Sequence, residues 1–243
     1  MPLVPVSGFL DLFSSFNLQE FLIRILVLCV SLSFHEMAHA WAAYRLGDDT
    51  AALQGRLTMN PLAHLDPIGS LMFLIGGIGW ARPVPINPAR FNSRVTVKKG
   101  LLLTSVAGPL SNLILASGSA LLLFVLFTIG AATGQGDGQL FGILVGLMQM
   151  LYGANLILAV FNLLPVPPLD GFKVFGSVLP NAIYYRLMSY ERYIGIAFLV
   201  LIIFGRGILT RVLTWVAWPF EQAIWLPLQL FFSWFWRLIG LSA

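Results

Sequence analysis

Apolar residues in this chain come in long unbroken runs, without the period-2 alternation of a half-buried strand. The first run covers 18–46 and is built on LIRILVLCVSLSFHEMAHAWAAYRLG. It exceeds the roughly 20 residues that a helix needs to cross a bilayer. Gly47, followed by Asp48 and Asp49, ends it. Residues 48–66 are mixed and loop-like, and 67–79 (PIGSLMFLIGGIG) are apolar but glycine-rich and too short to span. Residues 80–99 are proline-rich and basic. A second span is predicted over 100–130, a polar loop (TGQGDGQ) over 133–139, and a third span over 140–164, closing on NLLPVPPLDG at 162–171. A fourth apolar run lies at 193–205. The tail, 207–243, is interrupted by Pro219 and Pro227 and rich in Trp, which reads as a broken or interfacial aromatic segment, with a fifth span as the alternative. Residues 9–17 read as a short interfacial helix. Residues 1–10 lack the cationic start of a signal peptide, so the first run is expected to be retained. There is no internal repeat.

The pattern gives an all-α membrane protein, a bundle of about four to six transmembrane helices. Composition agrees: 58% of the 243 residues are hydrophobic and only 10% charged, against about 25% charged in a soluble domain, and mean hydropathy is +0.86. A soluble enzyme and a disordered chain are both excluded. No stretch is long or polar enough for a separate soluble domain, so 1–243 is read as one domain, with a core over 18–175 and a hydrophobic extension over 176–243. The net charge of +4 is small and scattered, which argues against a nucleic-acid partner and leaves the lipid bilayer as the surrounding partner. The single cysteine, Cys29, excludes an internal disulfide.

Charge does set an orientation. The loop at 80–99 carries Arg82, Arg90, Arg94, Lys98 and Lys99 and no acid, whereas 131–139 carries no Lys or Arg. The first side is therefore expected to be cytoplasmic and the second external. Lys173, Arg186 and Arg192 agree; Arg206 and Arg211 do not.

Within the first span, His35, Glu36 and His39 form HEMAH, an HExxH motif. Histidines at i and i+4 share one helical face, so both imidazoles can reach one Zn²⁺, while Glu36 beside the first can take a proton from bound water. Ionisable groups inside a spanning helix are costly and usually functional. The bland alternative is a polar helix face that hydrogen-bonds to its neighbours; two His and a Glu would need several dedicated partners for that. A catalytic zinc takes a third protein ligand and keeps one position open. His64 and nine other acids are available. Asp170 stands out, because it follows an apolar span at a break made by Pro165, Pro167 and Pro168. Such a carboxylate can turn inward to a metal, or simply belong to a turn at the membrane edge.

HExxH in a first core span together with a later N-x-x-P-x-P-x-L-D-G motif, here Asn162 to Gly171, resembles the site-2 proteases, intramembrane zinc metalloproteases of peptidase family M50. AGPxxN is matched by Ala107, Gly108, Pro109 and Asn112, and GRLTMNPLAHLDPIGS (55–70) and GWARPVPINP (79–88) are similar to a compact prokaryotic branch without PDZ or CBS domains. The resemblance covers roughly 30–175. It implies one Zn²⁺ per chain on His35, His39 and Asp170, Glu36 as general base and then acid, Asn162 near substrate or transition state, and Asn112 as a supporting polar residue. It implies a short membrane-associated β-like segment near 76–88 that holds substrate extended. The implied activity is peptide-bond hydrolysis in or near transmembrane segments of membrane-protein substrates, that is, regulated intramembrane proteolysis, in a multi-pass protein of a prokaryotic inner or plasma membrane with its centre nearer the cytoplasmic face. Two rivals remain at this stage. A transporter would show repeat symmetry or a second polar centre, and a scaffold with structural zinc would need His64 to close a four-ligand site. Oligomeric state is not legible.

Overall fold

The computed structural model describes residues 18–69 and 81–241. The expected interfacial helix at 9–17 lies outside them. Helix α1, Leu18–Arg45, has 28 residues, a length of about 42 Å. It stops where Gly47 takes a left-handed φ of 101°. The Gly47 amide donates to Tyr44 O and the Asp48 amide to Ala43 O, the paired bonds of a Schellman cap. A side chain at 47 would also collide with Asn92 Oδ1, 2.6 Å from the Cβ position.

After the short α2, Thr50–Leu53, the chain reaches α3, Val97–Thr133, of 37 residues. Thr96 caps it by accepting from the Lys99 amide, and Gly134 ends it in the left-handed region. Then follow α4, Gln139–Asn162; a proline-rich break at 163–169; α5, Asp170–Gly176; α6, Asn181–Ser189; α7, Glu191–Phe204; and α8, Arg206–Leu238.

Among the described residues, three helices (α1, α3 and α4) are long and apolar enough to cross a membrane, or four spans if α6 and α7, bent by 63°, count as one. Three is one fewer than the four to six expected, and four meets the low end of that range. The tail differs from its reading as a broken segment. Each of Pro219 and Pro227 removes only one backbone donor, and α8 runs through both, held by aromatic packing. Phe124 of α3 stacks on Phe232 at 4.9 Å and packs against Trp225, and the Trp236 indole donates to Thr128 Oγ1 at 2.7 Å.

Small residues let α3 approach its neighbours closely. Ala116 and Ala120 of α3 are fully buried against Tyr152, Leu156 and Val160 of α4 and against Leu213 and Ala217 of α8. Bilayer helices pack this way because lipid already satisfies large apolar side chains and only close backbone approach adds dispersion energy. Large side chains such as Leu22, Leu110, Ile114 and Leu122 accordingly face outward.

The β-like segment near 76–88 is not formed among the described residues, and 76–80 lie outside them. Leu65 and Ala81 make one isolated antiparallel bridge. Pro83, Pro85 and Pro88 lack the donors of a strand ladder, and the neighbouring amides serve other acceptors. Residues 81–92 instead form a strap across the C-terminal end of α1. The Asn87 amide donates to Asp48 Oδ2 at 2.6 Å, the Asn92 amide to Leu46 O at 2.7 Å, and the Arg56 guanidinium to the carbonyls of Arg82 and Pro83. Arg90 pairs with Asp49 at 2.6 Å. Val84 is buried with Ala40 and Ala51 beneath the strap.

Candidate metal centre

His35 and His39 lie about 15 Å and about 9 Å from the C-terminal end of α1, at 5% and 6% exposure, with their rings nearly perpendicular and centroids 4.6 Å apart. Each Nδ1 has a fixed partner: Asn112 Oδ1 at 2.6 Å for His35 and Thr104 O at 2.7 Å for His39. Thr104 O is a carbonyl and can only accept, so His39 Nδ1 carries hydrogen and its Nε2 presents a lone pair. The Nε2 atoms lie 3.0 Å apart, and Asp170 Oδ2 lies 3.2 Å from that of His35 and 3.1 Å from that of His39.

Three electron-rich atoms about 3 Å from one another repel unless positive charge lies among them. An Asp170 carboxylate brings negative charge into this set and adds to the demand for a cation. A tetrahedral zinc with Zn–N bonds of about 2.0–2.1 Å has ligand–ligand edges of about 3.3–3.4 Å, so this donor set fits Zn²⁺ with only a small outward adjustment. Among the described residues, His35, His39 and Asp170 are the one group of His, Cys or acid side chains that could hold a metal ion.

Two glycines permit the approach. A Cβ at Gly108, where α3 crosses α1, would lie 2.3 Å from His39 Nε2 and 2.6 Å from His35 Cε1. A Cβ at Gly171 would lie 2.3 Å from the carbonyl oxygens of both Leu163 and Leu164, which are backbone and cannot give way. Gly171 therefore lets α5 start against the end of α4 and turns Asp170 inward. Gly108→Ala is expected to push both rings off their hydrogen bonds and to weaken zinc binding at least about tenfold, the scale of losing a ligand's supporting contacts. Chelator competition measures this, and an unchanged affinity would show that the rings yield freely.

Glu36, one residue from His35, is 9% exposed and accepts at Oε2 from the Val84 amide at 3.0 Å. The strap thus reaches the centre through one backbone N–H. Asn112 is fully buried and contacts His35 directly. Asn162 is not joined to the group; its amide nitrogen donates to Leu158 O, one turn back in α4, at 2.9 Å. His64 is buried elsewhere, with Nε2 2.8 Å from Thr58 O, so the four-ligand site of the scaffold reading is not assembled. The contacts from Thr104 and Val84 are made by backbone atoms and leave no trace in residue type. Asn155, fully buried in α4, did carry a signal that went unread: a carboxamide inside an apolar helix.

Paired histidines and an aspartate inside an apolar bundle, with a glutamate beside the first histidine, define a membrane-embedded metallohydrolase centre. Sequence comparison narrows the class. The Peptidase family M50 pattern matches residues 128–203. The chain is 40% identical over 218 residues to YwhC of Bacillus subtilis, named as a candidate zinc metalloprotease, covering 88% of this chain and 92% of that one. It is 31% identical over 157 residues to Rip2 of Mycolicibacterium smegmatis, covering 63% and 54%, and 35% identical over 148 residues to Rip2 of Mycobacterium tuberculosis H37Rv, covering 59% and 52%; both carry the same kind of name. No solved structure matches. The chain belongs to peptidase family M50, the site-2 proteases, and is a multi-pass intramembrane zinc metalloprotease.

Proposed function

We propose that this chain hydrolyses peptide bonds of transmembrane substrates at a single Zn²⁺ held by His35, His39 and Asp170. The observation that carries this is the convergence of His35 Nε2, His39 Nε2 and Asp170 Oδ2 within 3.0–3.2 Å, next to Glu36. Zn²⁺ bound there would lower the pKa of a coordinated water towards about 7 and polarise the scissile carbonyl.

Glu36 does the proton work. Its Oε2 is occupied by the Val84 amide, which leaves Oε1 to take a proton from the attacking water. The water oxygen bonds to the carbonyl carbon, the C–N bond breaks, and Glu36 passes the proton to the leaving nitrogen. Asn112 keeps the His35 ring turned to the centre. Asn162 is the candidate contact to substrate or to the developing oxyanion. A helical substrate hides its amide in i→i−4 bonds, so it unwinds before attack.

The centre lies in the half of the bundle that faces 46–69, 81–96 and 163–169. That end carries Arg82, Arg90, Arg94, Lys98 and Lys99, and the opposite loop at 134–138 has no Lys or Arg, which supports a cytoplasmic placement. The bacterial relatives support a prokaryotic plasma membrane. Among the described residues none of the three candidate ligands comes from α6–α8, which supports reading 18–175 as the catalytic core and 176–243 as an extension, with α8 packed on that core through Leu213 and Ala217.

The test is a purified chain reconstituted in vesicles with a transmembrane peptide. About one zinc per chain is expected, with cleavage that stops on chelation and returns with added Zn²⁺. A folded, chelator-free preparation with neither metal nor cleavage would overturn the proposal.

A further inference from the structure

We infer that Asn155 is a positioning residue for the metal centre, acting through Asn112 to fix which nitrogen of His35 faces the metal. The inference rests on the zinc reading above and adds to it a residue on a third helix that touches neither metal nor ligand.

The argument is one of hydrogen-bond direction. Asn155 Nδ2 donates to Leu151 O at 2.8 Å and to Ser31 Oγ at 2.9 Å. Leu151 O is a carbonyl and can only accept, so the amide nitrogen of Asn155 must lie on that side and its Oδ1 must lie on the other. That oxygen faces Asn112 Nδ2 at 2.7 Å. Asn112 must then present its own nitrogen to Asn155, where it also reaches Ser31 O at 3.3 Å, and its Oδ1 to His35 Nδ1 at 2.6 Å. An amide oxygen can only accept, so His35 Nδ1 carries the hydrogen and Nε2 presents the lone pair that a metal requires. Both hydrogens of both carboxamides are used, and Asn112, Asn155 and Ser31 are all fully buried. No water competes for these bonds, and reversing either amide would set nitrogen against hydrogen-bearing nitrogen. A carbonyl in α4 thereby dictates the tautomer of a ligand in α1 through a side chain of α3. His39 achieves the same in one step through Thr104 O. His35 depends on a relay because a side chain, which could have adopted either orientation, stands between it and the backbone.

Four variants in the full chain test this, read by zinc affinity in chelator competition and by the visible spectrum of the Co²⁺-substituted protein. Asn155→Leu fills the space but cannot accept from Asn112, and zinc should bind about 10–100-fold more weakly. Asn155→Asp, neutral in this buried position, keeps an oxygen towards Asn112 and an O–H towards Leu151 O; its affinity should lie within about threefold of wild type, with an unaltered Co²⁺ spectrum. Asn155→Leu combined with Asn112→Ala should bind no more weakly than Asn112→Ala alone, because the first residue acts through the second. If the Leu variant does not fold, Asn155→Ala, which also lacks the accepting oxygen, takes its place. Wild-type affinity in the folded Leu or Ala variant would overturn the inference, as would effects that multiply in the double variant or an Asp variant as weak as Leu. Failure of the zinc reading itself looks different: wild type would then bind no metal.

Discussion

Glu36→Gln is expected to lower cleavage by about 10³-fold or more while zinc content stays at the wild-type level. The residue is asked to act twice, as base and then as acid, and each such role is worth about 10²–10⁴-fold. The substitution is close to isosteric. Its amide oxygen can still accept from the Val84 amide, as Oε2 does now at 3.0 Å, so the strap keeps its anchor. What disappears is the basic oxygen on the other side, replaced by an NH₂ group that cannot take a proton. The His and Asp ligands are untouched. Cleavage within about tenfold of wild type, in a variant shown to be zinc-loaded, would remove Glu36 from the proton path.

The second large effect concerns the ligands. Zinc sites with a full set of protein ligands are worth about 10–16 kcal/mol, or roughly 3–4 kcal/mol per ligand, so His39→Ala and Asp170→Ala should each weaken zinc by about 10²–10³-fold. Purified variants should come off the column without metal and without activity. His64→Ala is the matched control, since its ring is bonded to Thr58 O at 2.8 Å outside the centre, and it should retain both. The reverse pattern, zinc kept without Asp170 and lost without His64, would mean that the centre rearranges around a different third ligand.

How much of this could be read from sequence varies with the reach of each interaction. The three spans were legible within a few residues, because long apolar runs report burial in lipid directly. The second runs Val97–Thr133 instead of 100–130, since the polar first turn around Thr96, Lys98 and Lys99 belongs to the helix although not to its apolar stretch. HEMAH was legible because its spacing lies within one helix. Asp170 was not, on residue chemistry alone. Whether it turns inward depends on Gly171 lying against the Leu163 and Leu164 carbonyls, a contact between segments that no local pattern encodes. The break read into the tail does not occur: Pro219 and Pro227 signal one, whereas Phe124, Phe232 and Trp236 hold the helix together from α3. A β-like segment was expected near 76–88, and its described part, 81–88, lies in the strap instead. Its sequence does favour extended backbone, but its donors go to Glu36 and Asp48, and that choice is made by α1.

That last contact bears on engineering. Because the Glu36 carboxylate, the base of the proposed mechanism, is oriented by the main chain at Val84, and the strap is in turn fastened through Asp48, Arg56 and Leu46, that chemistry is not portable as a helix. Grafting the HEMAH turn of α1 into another apolar bundle, even with an aspartate placed opposite, would reproduce a metal trap with a base free to swing through its rotamers. A working transplant has to carry residues 46–56 and 81–92 as well, so the smallest transplantable unit extends beyond α1 to the strap and the turn that fastens it.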